Sequence, residues 1–242
     1  MVDRLPMSLR VNNELLNDIY SNFEGAKSHN EIDNWLLNFQ PEHQFYALKL
    51  LSKFTYYNSQ DITQICKRLF FKLKYNEVNN PCFVGFGPAS KSGPFISYYF
   101  RLANELSNED FFEFSQIRDL RKTKYDAIVL LDDFVGSGNQ AIEFWAMLIN
   151  EFGEDIYSKD FYYLAIMGFD FGKNNIISNT NLKAELGVEL TAMDQAFFTT
   201  NAFNDYYECQ KAKVIMEEYG RKLFPSHPLG YKDSQALILT SP

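Results

Sequence analysis

Two aspartates stand side by side at the end of an apolar run. Asp132 and Asp133 follow residues 126–131, and the chain continues Phe134-Val135-Gly136-Ser137-Gly138-Asn139-Gln140. Like charges at the edge of an apolar strand lose hydration and repel one another, so a ligand is needed to offset the penalty. The vicinal hydroxyls of a ribose, which donate to carboxylates, would do so, as would a magnesium ion with its water shell. The small residues that follow let successive backbone N–H groups turn into one concavity. A helix opening near Asn139 adds its positive end, and together these hold a phosphate. A capped strand-to-helix turn uses the same residue types, but the full string of apolar strand, acid pair, small-residue loop and helix favours a phosphate-and-ribose site. A second loop, Gly87-Pro-Ala-Ser-Lys-Ser-Gly93, leaves another short apolar run at 82–86.

Both loops need a scaffold that brings two strand ends together, and hydrophobic periodicity predicts one from residue 81 onward. Strands are expected at 82–86, 126–131, 161–167 and around 188–191, with helices at 94–106, 141–152 and near 174–186 between them. The run at 126–131 is almost continuously apolar, as a strand covered on both faces should be. This alternation implies an α/β fold: an open, mainly parallel sheet with helices on both faces, preceded by an N-terminal helical region. Such sheets bind ligands beyond the carboxyl ends of their strands, where both loops lie. Upstream, Leu15, Leu16, Ile19, Tyr20 and Phe23 recur at helical spacing over 12–23. Ser28 and Glu31 form a capping-box pattern ahead of Ile32, Trp35, Leu36 and Phe39, and Pro41 ends that helix. Phe45, Leu48, Leu51 and Phe54 mark a third helix, and Ser59 caps a fourth carrying Ile62, Ile65, Leu69 and Leu73. The expected division is a helical region over 1–77 and an α/β domain over 78–242. A last helix is expected around 206–223, followed by a short apolar stretch at 236–239.

Composition limits what such a site can serve. At 242 residues with 46% apolar and 22% charged, the chain has material for a substantial core and does not read as disordered. A formal charge of −8 opposes nonspecific attraction to phosphate backbones or anionic membranes. No stretch approaches the apolar length of a membrane span, and the expected location is cytoplasmic. Cys66, Cys82 and Cys209 are widely spaced in apolar surroundings and read as buried thiols; His29, His43 and His227 form no ligand spacing. The aromatic fraction, 17%, falls mostly at core periodicity and reads as packing. Lys67, Arg68, Lys72 and Lys74 on the fourth helix read as a solvated face rather than a nucleic-acid surface.

The stretch 128–140 resembles the 5-phosphoribosyl 1-pyrophosphate (PRPP) signature of type I phosphoribosyltransferases: a hydrophobic strand, two acids, then a loop of small hydroxyl and glycine residues. The chain as a whole more closely resembles the bacterial phosphoribosyltransferase-like proteins of conflict and retron defence systems (PRTase-CE). The likeness is carried by Trp35-Leu-Leu-Asn-Phe39, Leu50-Leu-Ser-Lys-Phe-Thr-Tyr-Tyr57, Lys91-Ser-Gly93, Leu130-Leu-Asp-Asp-Phe-Val-Gly-Ser-Gly138 and Pro228-Leu-Gly-Tyr-Lys-Asp-Ser-Gln-Ala-Leu237. In that family a further C-terminal segment normally follows. The resemblance implies that Asp132 and Asp133 hold the ribose 2′ and 3′ hydroxyls and magnesium. It implies that Gly136, Ser137, Gly138, Asn139 and Gln140 wrap the 5-phosphate. Ser90, Lys91, Ser92 and Gly93 correspond to the pyrophosphate loop, with Lys91 offsetting charge on the leaving group. Implied partners are a ribose phosphate and a protein or nucleoprotein component of an antiphage defence complex, with no membrane; a homo-oligomer is compatible. Arg118, Arg121, Lys122 and Lys124 read equally as a lid cation or a solvated loop.

Where the transferases commonly carry threonines, this chain has Gly136 and Gln140. A pocket that binds a nucleotide without turnover, as a sensor or regulatory subunit, is therefore the alternative reading. A third is a P-loop nucleotidase, since 85–92 nearly matches G-x-x-x-x-G-K-[ST]. Against it, Ser90 replaces the second glycine and the Gly136-Ser-Gly138 loop is left without a role. The acceptor of a transferred group is not legible. Residues 169–175, with Asp170, and the region after Asp194 are the segments from which a hood and a general base would come.

Overall fold

The computed structural model describes residues 7–88, 91–120, 123–198, 202–230 and 233–241. By contact the chain forms two compact units, Ser59–Thr191 and a second made of Met1–Asn58 with Ala192–Pro242. These units divide the chain differently from 1–77 and 78–242, because the helix beginning at Ser59 packs with the sheet.

Ser59–Thr191 is the α/β unit. Its strands are β2 (Pro81–Gly85), β3 (Phe111–Phe112), β4 (Ala127–Val135), β5 (Asp160–Phe169) and β6 (Lys183–Leu190). They lie in the order β3-β2-β4-β5-β6, and every neighbouring pair is parallel. Counted within the sheet, this is the doubly wound order 2-1-3-4-5. Helices α4 (Ser59–Tyr75) and α5 (Gly93–Ala103) pack on one face: Phe100 meets Phe83 at 5.4 Å between ring centroids, and Ile65 and Leu69 of α4 cover Gly187. The short α6 (Ile117–Leu120), α7 (Asn139–Phe152) and α8 (Asp170–Asn179) cover the other, where Ile117, Leu120, Phe144, Trp145, Leu148 and Ile176 join Ile128, Leu130, Phe161 and Tyr163 in one cluster. Helices thus lie on both faces, as the alternation predicts.

Three boundaries differ from expectation. β4 does not stop at 131 but runs on through Val135, because Asp132, Phe134 and Val135 continue to pair with Ala165, Met167 and Gly168 of β5. The helix expected near 174–186 ends at Asn179, and β6 starts at Lys183 rather than near 188. Ala184, Leu186 and Leu190 are buried while Lys183 and Glu189 are exposed, an every-second-residue pattern that outweighs the helical reading.

The other unit carries α1 (Met7–Asn22), α2 (His29–Leu36), α3 (Gln44–Leu51) and α9 (Tyr206–Leu223). The capping box forms as predicted, with the Ser28 hydroxyl accepting from the Glu31 amide and Glu31 accepting from the Ser28 amide at 2.9 Å. The third helix stops short of Phe54: α3 ends at Leu51, and β1 (Thr55–Asn58), a strand not among those expected, pairs in parallel with β7 (Ile238–Ser241). All three cysteines are buried free thiols.

Candidate functional site

A doubly wound sheet opens a crevice where the chain reverses its direction of travel, because loops from adjacent strands there leave toward opposite faces. Here the loop after β2 leads to α5 on one face and the loop after β4 leads to α7 on the other. Between them lies a cleft of about 480 Å³, lined by Phe86, Gly87, Pro88, Lys91, Ser92, Phe114, Asp132, Asp133, Phe134, Gln140, Glu143, Phe144 and Met147. The fold therefore brings Lys91 and Ser92 of one expected loop to the same cavity as Asp132, Asp133 and Gln140 of the other. Ser90 lies outside the described residues. Gly93 is buried behind the cleft; a Cβ there would come within 2.2 Å of the Phe86 carbonyl oxygen, so the first loop closes backbone on backbone.

Asp132 is the most constrained of these groups. Only 8% exposed, it accepts a short hydrogen bond from the Tyr163 hydroxyl through Oδ2, and its Oδ1 accepts from the Asp133 amide at 2.9 Å. Burial, reinforced by the Asp133 charge, pushes its carboxyl up to about 7, although the Tyr163 hydroxyl pulls the other way. The Tyr163 phenol is in turn held well above its ordinary value by burial and by the Asp132 carboxylate. Asp133 is half-buried and accepts from the Phe134 amide at 2.9 Å.

Gly136, Ser137, Gly138 and Asn139 form the turn from β4 into α7 and do not line the described cleft. Gly138 caps α7 in a left-handed conformation, φ +77°, and a Cβ on it would lie 2.5 Å from the Gly172 carbonyl oxygen. A Cβ on Gly172 would come within 2.1 Å of the Gly136 carbonyl oxygen. The turn thus rests directly on the first turn of α8. Asn175 ties it down, its side-chain amide donating to the Ser137 carbonyl at 2.8 Å and to Asn139 Oδ1 at 3.3 Å. Among the described residues the amides of Gly136, Ser137 and Gly138 meet no hydrogen-bond acceptor, so three donors stand together at the opening of a helix. Donors so arranged suit an anion. The Asn139 amide is within 3.5 Å of the Ser137 hydroxyl.

Tyr163 escapes a linear reading, and Gly172 and Asn175 fall in the 169–175 segment expected only as a hood. Tyr163 sits mid-strand among apolar residues, and Asn175 is one of many polar residues in a helix; only their placement beside Asp132 and Ser137 gives them a role. The basic groups are partly committed elsewhere. Arg118 pairs with Glu151 at 2.9 Å and Lys72 with Glu185 at 3.0 Å, while Lys74 lies over the Phe70 ring; Arg121 and Lys122 lie outside the described residues. Asp170 accepts from the Phe171 amide at the start of α8.

The PRTase-CE family model matches residues 32–242. The chain belongs to the PRTase-CE family. Among solved structures, a Helicobacter pylori xanthine-guanine-hypoxanthine phosphoribosyltransferase is similar at 15% identity, over 56% of this chain and 83% of that one, with a TM-score of 0.37. A hypoxanthine-guanine-xanthine phosphoribosyltransferase is similar at 15% identity, over 56% of this chain and 77% of that one, with a TM-score of 0.34. No curated protein matches the chain. As a PRTase-CE protein the chain is phosphoribosyltransferase-like, and its acid pair lies inside β4 at the reversal point of the sheet. Among the described residues no helix is long and apolar enough to cross a membrane.

Proposed function

We propose that this PRTase-CE protein binds PRPP or a related ribose phosphate in the cleft between β2 and β4 and releases or transfers its phosphoribosyl group. The observation that supports the reading is the convergence of Lys91 and Ser92 with Asp132, Asp133 and Gln140 in one cavity. The acid pair would accept from the sugar hydroxyls, the amides of Gly136 to Gly138, which lie outside the cleft lining between Phe134 and Gln140, would receive the 5-phosphate, and Lys91 would face the pyrophosphate. In the reaction the bond from the anomeric carbon to pyrophosphate breaks, its electron pair leaves with pyrophosphate, and an acceptor lone pair takes its place. Positive charge grows on the ring and negative charge on the leaving oxygens, so fixed donors at the pyrophosphate carry the rate.

Among the described residues no group of three or more metal-ligating side chains is gathered. Two adjacent carboxylates suit magnesium nonetheless, because that ion usually takes one or two carboxylates and completes its shell with water and substrate oxygens. Asp132 and Asp133 would hold it, and when bound it supplies charge neutralisation at the pyrophosphate. By its family resemblance, the protein acts as an effector in a bacterial antiphage defence system of the retron or related conflict type.

Calorimetric titration of magnesium and PRPP into the wild type and an Asp132→Asn/Asp133→Asn variant, with ATP as control, tests the site. Binding is expected in the wild type and lost in a variant that remains folded by circular dichroism. Retained affinity in the folded variant would overturn the assignment, and ATP binding in place of PRPP would favour the P-loop reading. Pyrophosphate release followed in the same samples separates an enzyme from a sensor, for which Gly136 and Gln140 in place of hydroxyl side chains speak.

A further inference from the structure

β2 is flanked by two crevices. Its following helix, α5, leaves toward one face, whereas the chain after β3 enters α6 and the chain after β4 enters α7, both on the opposite face. The loop after β2 therefore diverges from both neighbours. On the β4 side this makes the cleft described above. On the β3 side it makes a second cavity of about 740 Å³, lined by Gly85, Gly87, Pro88, Pro94, Ser97, Asn108 and the run 111–116. Gly87, Pro88 and Phe114 are common to both linings, so the two cavities share a wall.

The second cavity contains a polar group without a use. Ser97 of α5 is 8% exposed and lines it, yet among the described residues its hydroxyl has no hydrogen-bond partner. A buried hydroxyl is ordinarily paired, and one that is not calls for a ligand or a water. The same cavity is lined by further hydrogen-bonding groups: the Asn108 and Gln116 amides, and the Glu113 carboxylate, which already accepts from the Ser115 hydroxyl at 3.4 Å. Gln116 accepts from the Glu113 amide at 2.8 Å through its oxygen, which leaves its NH₂ as a donor. Phe111, Phe112 and Phe114 also line it; their rings pack on Phe83, Tyr125 and Phe86, and each stays part-exposed. The described lining holds no cation, and its one charged side chain is Glu113. That charge pattern disfavours a phosphate, in contrast to the cleft beside it, which carries Lys91.

We propose that this cavity binds an uncharged heteroaromatic ligand of nucleoside size, whose flat face lies on the phenylalanine surface and whose polar edge meets the Ser97 hydroxyl. Volume agrees, since small-molecule sites usually span about 300–1,000 Å³ with a few convergent polar groups. The inference stands independently of ribose phosphate binding in the neighbouring cleft.

Adenosine, guanosine, cytidine and uridine are titrated into the full chain by calorimetry, with saturation-transfer NMR to identify the contacting edge. At least one nucleoside is expected to bind the wild type, at least fivefold more weakly to Ser97→Ala, and with unchanged affinity to Asp132→Asn/Asp133→Asn. Ser97→Ala removes an unpaired hydroxyl from a helix, so its thermal midpoint should equal or exceed that of the wild type; affinity and stability then move in opposite directions, which a purely structural serine would not produce. The proposal is overturned if no nucleoside saturates the protein at millimolar concentration, if Ser97→Ala leaves affinity unchanged, or if the double variant abolishes binding and so puts the ligand in the sugar-phosphate cleft. Tighter binding of the 5′-monophosphates than of the nucleosides would overturn the uncharged class.

Discussion

In the proposed site Asp132 combines two properties that pull against each other: it would accept hydrogen bonds from a sugar, yet it sits where ionisation is penalised. Its carboxyl is raised from 3.8 to about 7, so between those values the folded chain keeps a proton that the unfolded chain has released. Stability contributed by this group is present below about pH 4, falls as pH rises through the window, and is gone above about pH 7. Asp132→Asn should remove that slope, and urea unfolding at pH 5 and pH 8 should show the variant gaining on the wild type by on the order of 1–3 kcal/mol at the higher pH. Ligand binding should run the other way. PRPP affinity should rise from pH 6 to pH 8 as the carboxylate forms, and a flat profile would exclude Asp132 as an ionised acceptor. Tyr163 tunes the same equilibrium, because its hydroxyl lowers the Asp132 value. Tyr163→Phe should therefore shift the midpoint of the affinity profile upward in pH and weaken binding roughly five- to 150-fold at pH 7, since losing one buried hydrogen bond to a charged group amounts to about 1–3 kcal/mol.

The turn at 136–139 is positioned by another element, the first turns of α8. Gly138 and Gly172 permit a backbone contact that no larger residue would allow, and Asn175 closes it with two hydrogen bonds. Gly172→Ala places a methyl 2.1 Å from the Gly136 carbonyl oxygen, so the turn or the helix must move. The expected result is a loss of about 1–3 kcal/mol in unfolding free energy together with weaker PRPP binding. Asn175→Ala separates positioning from packing: it opens no backbone clash, so affinity should fall while the thermal midpoint changes by only a few degrees. Wild-type affinity in both variants would show that the turn does not touch the ligand. The α8 and β6 boundaries missed in sequence have a local cause. Lys183-Ala-Glu-Leu186 has a helix-compatible composition, and its strand character is visible only as alternation, which four residues display weakly.

The two compact units are assembled in different ways. Ser59–Thr191 is one continuous stretch that contains both cavities at the reversal point, whereas the other unit joins chain segments far apart in sequence. Thr55 donates to the Leu237 carbonyl at 3.0 Å, and β1 finds its partner only in β7. Deleting 237–242 should strip amide-exchange protection from Thr55–Asn58 and lower the stability of that unit, while 127–135 and 160–169 stay protected. PRPP affinity should remain within about twofold of the wild type by calorimetry; a collapse of binding would mean that the site depends on residues outside Ser59–Thr191.

Local pattern sufficed for much of this protein. The apolar run into Asp132 and Asp133, the small-residue turn, the capping box at Ser28 and α9 are all written in neighbouring residues, because strand burial, helix periodicity and capping are short-range phenomena. The continuation of β4 through the acid pair is not, since hydrogen bonds from β5 determine it. Nor is the pairing of β1 with β7, or the meeting of Lys91 with Asp132, which depends on β2 and β4 being neighbours although β3 lies between them in sequence. The Ser97 hydroxyl, without a partner among the described residues, is the extreme case: a serine in a helix carries no signal until the packing of β2, β3, α5 and the 113–116 turn leaves it buried beside an empty volume. Contacts between residues distant in the chain arise from the balance of burial and polar satisfaction over the whole fold, which no local window contains.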